Sequence, residues 1–427
     1  MNKKLFDYIA ACPTAYHASA HTAALLVREG YTELFEGESW SLDTGKGYFV
    51  RRNGSSLIAF RVPSANFSGY MMTASHGDSP SFKIKEEAEL TDGRYLRLSV
   101  EKYGGMLCST WLDRPLSVAG RVCVRTESGF ETRLVDLDSF SAIIPNVAIH
   151  MNRNANEGMS YNAAVDMLPL FGEACDTGSF LSRVAEKAGT EKENIVTTDL
   201  FLYNVEMGKE WGSFITAPRL DDLQCAFASL EAFCTSAESD SVPVYCLFDN
   251  EEVGSGTKQG AASTFLYDVL KRINLAVGGD EEDYMRRIAH SFLVSCDNAH
   301  AVHPNHPEYA DKNHTATLNG GIVIKYNANQ RYTTDAVSSA FFKLVCEEAG
   351  VPFQYYANRA DMPGGSTLGN IANTQVSLNT VDVGLAQLAM HSALETAGAR
   401  DTEFMVKALH VFYSKSMKTE KNGAFGF

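Results

Sequence analysis

Acidic residues gather where an apolar stretch gives way to a glycine-rich turn, in CLFDNEEVGSGT at residues 246–257. Asp249, Glu251 and Glu252 follow directly on the apolar residues. Like charges at the end of a buried strand are costly unless a positive charge lies between them. The stretch therefore predicts a metal site with Glu252 as a ligand and Glu251 as a proton acceptor beside it. A solvated turn is the alternative interpretation.

Histidines and carboxylates also lie at the ends of other predicted elements. They are His76 and Asp78 after GYMMTAS, Asp221 before an apolar helix, Asp297 after SFLVSC, and His391 after VDVGLAQLAM. In open α/β sheets the ligand crevice lies at the carboxyl ends of the strands, so one crevice could collect two histidines and at least three carboxylates. Such a set suits zinc or manganese, and imidazole favours zinc. Any one of these residues, considered alone, would more often have a structural role than bind a metal.

The number of candidate ligands favours two metal ions over one. A single catalytic zinc takes roughly three protein ligands and keeps one position open. Five ligands, one of them a bridging carboxylate, suit two ions ~3.5–4 Å apart. Such ions acidify water, and a free carboxylate accepts its proton and passes it to a leaving amine. We interpret Asp222, next to Asp221, as the N-cap of the following helix.

Two further segments are ambiguous from the sequence alone. The histidines of NAHAVHPNHPEY (His300, His303 and His306) do not have the spacing of a structural zinc site, and we interpret them as residues that support the site or face the substrate. The segment DMPGGSTLGN, residues 361–370, is either a simple turn or a glycine-rich loop. In the second case its backbone N–H groups would approach a carboxylate or an oxyanion.

Composition excludes several classes of function. The chain of 427 residues is long enough for two or more domains of ~100–200 residues each. A net charge of -15 argues against a nucleic-acid partner, which would require a basic face. No apolar run reaches the ~20 residues of a membrane span, and the N-terminal stretch has no signal-peptide core. The nine cysteines, without a CxxC pair, indicate reduced residues in a cytoplasmic protein.

The order of predicted elements indicates an α/β fold with an insertion. Two helices are expected at the N-terminus, short strands at 55–84, and alternating strands and helices after residue 217. The intervening stretch is rich in strands and has one expected helix, SFLSRVAEKAG. We therefore predict a catalytic α/β domain formed by residues 1–88 and 217–427, interrupted by a β-rich domain at 89–216. A further helix is expected just after His391.

A series of motifs, in this order and spacing, resembles the aspartyl aminopeptidases, a family of dinuclear zinc exopeptidases. The resemblance covers nearly the whole chain. The motifs are ACPTAYHA, SHGDSPSFKIK, YGGMLCSTWLDRPLSVAGRV, IPNVAIHMNRNANEG, APRLDDL, DNEEVGS, SCDNAHAVHPN, GGIVIKYNANQRYTTDA, DMPGGSTLGNI and DVGLAQLAMHSALE.

The resemblance implies a role for each ligand candidate. His76 and Asp297 would bind one metal ion, Glu252 and His391 the other, and Asp221 would bridge the two ions. Glu251 would be the general base, and Asp78 would orient a ligand. The ions would be zinc, with manganese or cobalt as alternatives.

The resemblance also implies a substrate pocket and an assembly. The pocket residues would be Lys325, Met362, Gly365 and Ser366, together with His303, and a lysine there would favour an acidic N-terminal residue. The β-rich domain would serve oligomerisation in a tetrahedral homododecamer. His150 would reach the active site of a neighbouring subunit.

Three positions depart from the usual pattern of the family: Gly77 replaces threonine, Gly364 replaces cysteine, and Asp222 replaces asparagine. These departures do not affect the proposed metal ligands. They do leave open which N-terminal residue the enzyme prefers. The prediction is a cytoplasmic metalloaminopeptidase acting on peptides that begin with Asp or Glu. The alternatives are a preference for neutral residues, hydrolysis of N-acyl amino acids or carboxypeptidase activity at the same site, and a non-catalytic assembly protein.

Overall fold

The structure is a computed structural model that describes residues 1–427, apart from the side chain of residue 422. The helices are α1 (Asn2–Ala11), α2 (Ala15–Arg28), α3 (Ser179–Ala188), α4 (Leu220–Thr235), α5 (Phe265–Ala276), α6 (Glu281–Ala289), α7 (Ala336–Ala349), α8 (Leu368–Ala372) and α9 (Asp401–Tyr413).

The strands form two large sheets and one small hairpin. They are β1 (Thr32–Leu34), β2 (Gly47–Arg52), β3 (Ser56–Arg61), β4 (Tyr70–His76), β5 (Ser81–Thr91), β6 (Tyr95–Tyr103), β7 (Leu116–Thr126), β8 (Gly129–Asp136), β9 (Leu170–Glu173), β10 (Ile195–Asn204), β11 (Lys209–Trp211), β12 (Phe214–Ala217), β13 (Val242–Phe248), β14 (Phe292–Cys296), β15 (Ala299–His300), β16 (Ile322–Tyr326), β17 (Phe353–Ala357), β18 (Asn379–Leu388), β19 (Glu395–Gly398), β20 (Lys418–Thr419) and β21 (Phe425–Gly426).

The first sheet has its strands in the order β1-β2-β3-β13-β4-β14-β18-β19-β12-β11, with β15, β16 and β17 attached beside β18. The central strands β13, β4, β14 and β18 run parallel. Every residue of β4, β13 and β14 is buried, because helices cover both faces of the sheet. One core layer includes side chains from α4 and α9, the other from α5 and α8. The predicted α/β fold is confirmed.

The second sheet is antiparallel and takes its strands from residues 81–204, in the order β8-β7-β10-β5-β6-β9. Its core is separate and includes Phe82, Trp111 and Leu200, with Phe180 from α3 packed against them. β5 begins five residues after β4 ends, so the second sheet leaves the first at the carboxyl end of a central strand. The domain division at 89 and 216 stays a prediction.

The expected helices at the N-terminus and in SFLSRVAEKAG are confirmed as α1, α2 and α3. The expected helix after His391 is wrong. The residues after His391 are not helical and form a strand from Glu395 onward, and Ala389 and His391 themselves have φ values of +57° and +67°. The chain turns there and continues as β19, which pairs with β12 and β18.

Two observations from the sequence have structural counterparts. All nine cysteines are unpaired thiols. Among the described residues, no helix combines the length and the apolarity needed to cross a bilayer.

Candidate metal centre

The predicted ligands meet at one edge of the first sheet. β4 ends at His76, β14 ends one residue before Asp297, and β18 ends three residues before His391. Because these neighbouring strands are parallel, their carboxyl ends lie side by side. Glu252 follows β13 on the other side of β4, and Asp221 arrives from the start of α4. The topology therefore converts five positions distant in sequence into one cluster.

Asp221 lies between the two histidines. Its Oδ1 is 3.5 Å from Nε2 of His76, and its Oδ2 is 3.5 Å from Nε2 of His391. Nε2 of His391 is also 3.3 Å from Oε2 of Glu252. Ligand atoms of His76, Asp221 and Glu252 all lie within 4.8 Å of one another, a spacing that suits a shared cation.

Both imidazole rings are held by main-chain carbonyl groups. Nδ1–H of His76 donates to the carbonyl oxygen of Asp78 at 3.0 Å, and Nδ1–H of His391 donates to that of Gly105 at 2.5 Å. A hydrogen bond from one ring nitrogen fixes the other as the ligand. In both residues the nitrogen left free is the Nε2 that faces Asp221.

Asp78 fixes the turn that carries the two adjacent glutamates. Its Oδ1 accepts the N–H of Glu251 at 3.2 Å, and its Oδ2 accepts the N–H of Glu252 at 3.2 Å. Oδ2 also accepts the hydroxyl proton of Tyr103 at 2.7 Å. The position of Asp78 is consistent with the orienting role that the family resemblance implies.

Glu395 is a site residue that the sequence reasoning missed. Its Oε2 accepts the N–H of Asp221 at 3.0 Å and its Oε1 accepts the N–H of His391 at 2.7 Å. The side chain is buried. A signal was available, because Glu395 is the one acidic residue in the stretch of small and apolar residues SALETAG.

The charges of the cluster call for a cation. Burial raises the pKa of Glu251 to about 8, and burial together with the charge of Asp221 raises the pKa of Glu252 well above its usual range. Burial acts against ionisation of Asp221 as well, but the neighbouring imidazoles of His391 and His76 lower its pKa. Among the described residues, Oδ1 of Asp221 and Oε1 of Glu252 are buried without a hydrogen-bond partner. Orphaned carboxylate oxygens beside two imidazole Nε2 atoms form the donor set that zinc prefers.

A cavity opens over the cluster. Three predicted pocket residues, Lys325, Gly365 and Ser366, line it, and so does the base candidate Glu251. The lining also includes His300, Tyr332 and Tyr356, of which the sequence reasoning had singled out only His300.

Three other predicted substrate residues lie elsewhere. Met362, His303 and His150 are exposed and are not among the described residues that line the cavity. His150 belongs to the segment between β8 and β9 of the second sheet. Their contacts with substrate or with a neighbouring subunit stay predictions.

Lys325 is buried and already has partners. Its side chain is 3% exposed, and Nζ donates to the carbonyl oxygen of Asn298 at 2.8 Å. Nζ also lies 3.6 Å from Oδ1 of Asp297. The positive charge of Lys325 is therefore shared between the cavity and a predicted metal ligand.

Asp222 stands at the non-helical start of the regular part of α4, where an N-cap residue is expected, but its carboxylate does not cap the helix. Oδ2 of Asp222 instead accepts the N–H of His76 at 3.2 Å. Asp222 is fully buried behind the site, and its carboxylate lies within 4.8 Å of ligand atoms of Asp221 and Asp297.

A large α/β sheet with a zinc-type donor set at the ends of its parallel strands defines a class, the metal-dependent α/β enzymes. The chain belongs to the M18 family, because residues 8–413 match the family of aminopeptidase I zinc metalloproteases. It is a metalloaminopeptidase, a hydrolase that acts on N-terminal peptide bonds. The family resemblance drawn from the motifs is confirmed.

Individual relatives cover nearly the whole chain. A probable M18 family aminopeptidase 2 of Clostridium acetobutylicum is 43% identical over 424 residues, which span 96% of this chain and 98% of the relative. The S. cerevisiae mApe1 dodecamer matches with a TM-score of 0.84 and 30% identity over 96% of this chain and 95% of that one. A structure of the Ape4 and Nbr1 complex matches with a TM-score of 0.93 and 35% identity, over 96% of this chain and 85% of that one.

Proposed function

We propose that the enzyme is a dinuclear metalloaminopeptidase, with His76 and Asp297 on one ion and Glu252 and His391 on the other. Asp221 would be the ligand shared by both ions. The observation that carries this proposal is that each oxygen of Asp221 faces the Nε2 of a different histidine, at 3.5 Å in both cases. This placement gives Asp221 one oxygen for each of two ions.

The residues around the cluster would have separate roles in the reaction. Metal ions held by these residues would supply polarisation of the scissile carbonyl and a lowered pKa for the attacking water. Glu251 lines the same cavity, accepts the proton of that water and returns it to the leaving amine. Asp78 holds the backbone of Glu251 in place because its carboxylate accepts the N–H of Glu251.

We further propose that the enzyme favours an acidic N-terminal residue. Among the described residues that line the cavity, Lys325 is the one Lys or Arg side chain, and Gly365 and Ser366 leave space near it. A positive charge in a partly desolvated pocket attracts a carboxylate strongly. The net charge of -15 repels acidic peptides at long range. An acidic preference therefore requires that local positive charge outweighs this repulsion inside the pocket. Met362 and His303 stay predictions as substrate contacts.

The test is a cleavage profile with zinc-, manganese- or cobalt-loaded enzyme. Peptides that differ only in the N-terminal residue are offered with a free and with an acetylated amine. We expect cleavage of free-amine peptides alone, with Asp and Glu preferred. Lys325→Met should lower kcat/KM for the Asp peptide at least about tenfold more than for the Leu peptide, because one Coulomb contact of ~1.4 kcal/mol is lost.

Two controls make the profile decisive. The first control is Lys325→Arg, which keeps the positive charge at position 325. The second is Lys407→Met, which removes the charge of a half-exposed lysine on α9. Equal losses on both peptides in Lys325→Met would reject the specificity role, since they would reflect the contact of Lys325 with Asp297. Cleavage of acetylated peptides would point to N-acyl amino acid hydrolysis.

We propose that the chain assembles as a tetrahedral homododecamer through its β-rich segment. Support comes from the S. cerevisiae relative, described as a dodecamer, and from exposed apolar side chains on this segment: Phe130, Val147, Met151 and Val165. His150 lies among them and would reach a neighbouring active site. Light scattering on the purified protein should give twelve times the mass of one chain. A monomer mass at micromolar concentration would contradict the assembly.

A cytoplasmic location is proposed from the cysteines. All nine are unpaired, including the exposed Cys175. Free thiols are typical of reducing compartments.

A further inference from the structure

The tripeptide Tyr103–Gly104–Gly105 connects the second sheet to the metal centre. It belongs to the YGG motif at the end of β6, to which neither the sequence nor the proposed function assigns a role. Each of its three residues contacts a different part of the centre. The contacts involve the orienting carboxylate, one metal-ligand glutamate and one metal-ligand histidine.

Tyr103 anchors the orienting carboxylate. Its hydroxyl donates to Oδ2 of Asp78 at 2.7 Å and accepts from Nδ2 of Asn250 at 2.9 Å. Burial, with the charges of Asp78 and Asp249, raises the pKa of Tyr103, so the hydroxyl keeps the proton it donates. The same oxygen of Asp78 accepts the N–H of Glu252. Tyr103 therefore acts on the glutamate turn through Asp78.

Gly104 packs directly against a predicted ligand. A Cβ at this position would lie 3.1 Å from Cβ of Glu252 and 3.3 Å from its carbonyl oxygen. The φ angle of Gly104 is +77°, a conformation that residues with side chains rarely adopt. A side chain at this position would be strained and would require Glu252 to shift by a few tenths of an ångström.

Gly105 and Leu107 hold His391 from two sides. The carbonyl oxygen of Gly105 accepts Nδ1–H of His391 at 2.5 Å. The N–H of Leu107 donates to the carbonyl oxygen of His391 at 3.0 Å. The ring and the main chain of this ligand are thus both fixed by the segment that follows β6, although His391 itself follows β18 of the other sheet.

We infer that Tyr103–Gly105 is a positioning element through which the β-rich sheet sets the geometry of the metal ligands Glu252 and His391. This inference rests on the proposed metal centre. The second sheet then has a role inside its own subunit, in addition to any role in assembly. Metal affinity depends on how that sheet docks against the catalytic sheet.

The decisive variant is Tyr103→Phe. It keeps the ring, which packs edge-on against Phe201 with centroids 5.5 Å apart, and removes only the hydroxyl. Zinc affinity, measured by competition between the zinc-loaded protein and a chromophoric chelator, is expected to fall about 10–100-fold. kcat should fall with it while KM changes little, because Tyr103 does not line the substrate cavity. Tyr95→Phe, at the exposed start of the same strand, is the matched control and should keep wild-type affinity.

A second variant and a spectrum separate positioning from general stability. Gly104→Ala should weaken zinc binding more than Tyr103→Phe, because the added Cβ displaces Glu252. In cobalt-loaded protein, Tyr103→Phe should change the visible absorption of the metal, which reports its ligand geometry. Wild-type zinc affinity and an unchanged cobalt spectrum in Tyr103→Phe would overturn the inference, whether or not Gly104→Ala folds. A wild-type chain that binds no zinc would instead reject the proposed metal centre itself.

Discussion

Glu251→Gln is expected to lower kcat by about 10²–10⁴-fold, the usual contribution of a general base, while the metal content of the enzyme stays unchanged. The amide has the same shape but cannot accept the proton of the attacking water. The backbone N–H of residue 251 still donates to Asp78, so the turn that carries Glu252 is preserved. The measurement combines steady-state kinetics on a free-amine peptide with metal analysis of the purified variant.

The interpretation of this variant depends on two comparisons. Glu29→Gln changes an exposed glutamate in the same way and should leave kcat unaltered. Turnover of Glu251→Gln at the wild-type rate would show that another group accepts the proton. Loss of metal from Glu251→Gln would instead mean that Glu251 is a metal ligand. The separate roles of Glu251 as base and Glu252 as ligand would then be wrong.

Asp221→Asn is expected to cost both ions and to lower kcat/KM by about 10³-fold or more, since metal catalysis contributes several kcal/mol. An amide cannot bridge two cations as a carboxylate does. Glu252, Asp297 and the two histidines would then hold each ion with fewer ligands. Metal analysis after dialysis and peptide kinetics with added zinc are the measurements.

Asp221→Asn should also remove the stabilisation that metal binding confers. At a metal concentration 100 times the Kd, this stabilisation is about 2.7 kcal/mol, so added zinc should raise the Tm of the wild type but not that of the variant. Asp401→Asn is the matched buried control, because Asp401 accepts backbone N–H groups of Asn319 and Gly321 away from the cavity. It is expected to lower stability while keeping the metal. Retention of two ions by Asp221→Asn would contradict the bridging role.

The residues of the candidate centre were largely predictable because of where they stand relative to strands. His76 and Asp297 follow runs of buried β-strand residues, and Glu252 follows another. A parallel sheet brings such positions together, so apolar runs that end in His, Asp or Glu indicate both the fold and the location of the site. The family motifs then assigned roles to these residues.

Backbone conformation in the loops could not be predicted in the same way. The stretch after His391 has helix-forming residues, but the positive φ angles of Ala389 and His391 turn the chain into β19. Asp222 stands where an N-cap is common, but its carboxylate accepts a hydrogen bond from the N–H of His76 at the end of β4. In both cases a long-range contact outweighs a local preference of about 1 kcal/mol or less.

The sequence by itself determined the class of fold and the family, and it predicted the candidate metal ligands, because these depend on residue types and on their order along the chain. The tertiary structure decided which groups hold those residues in place. Glu395 supports Asp221 and His391, and Tyr103–Gly105 reaches the centre from the other sheet. Such contacts join positions up to 286 residues apart through single hydrogen bonds, and no local pattern of residues encodes them.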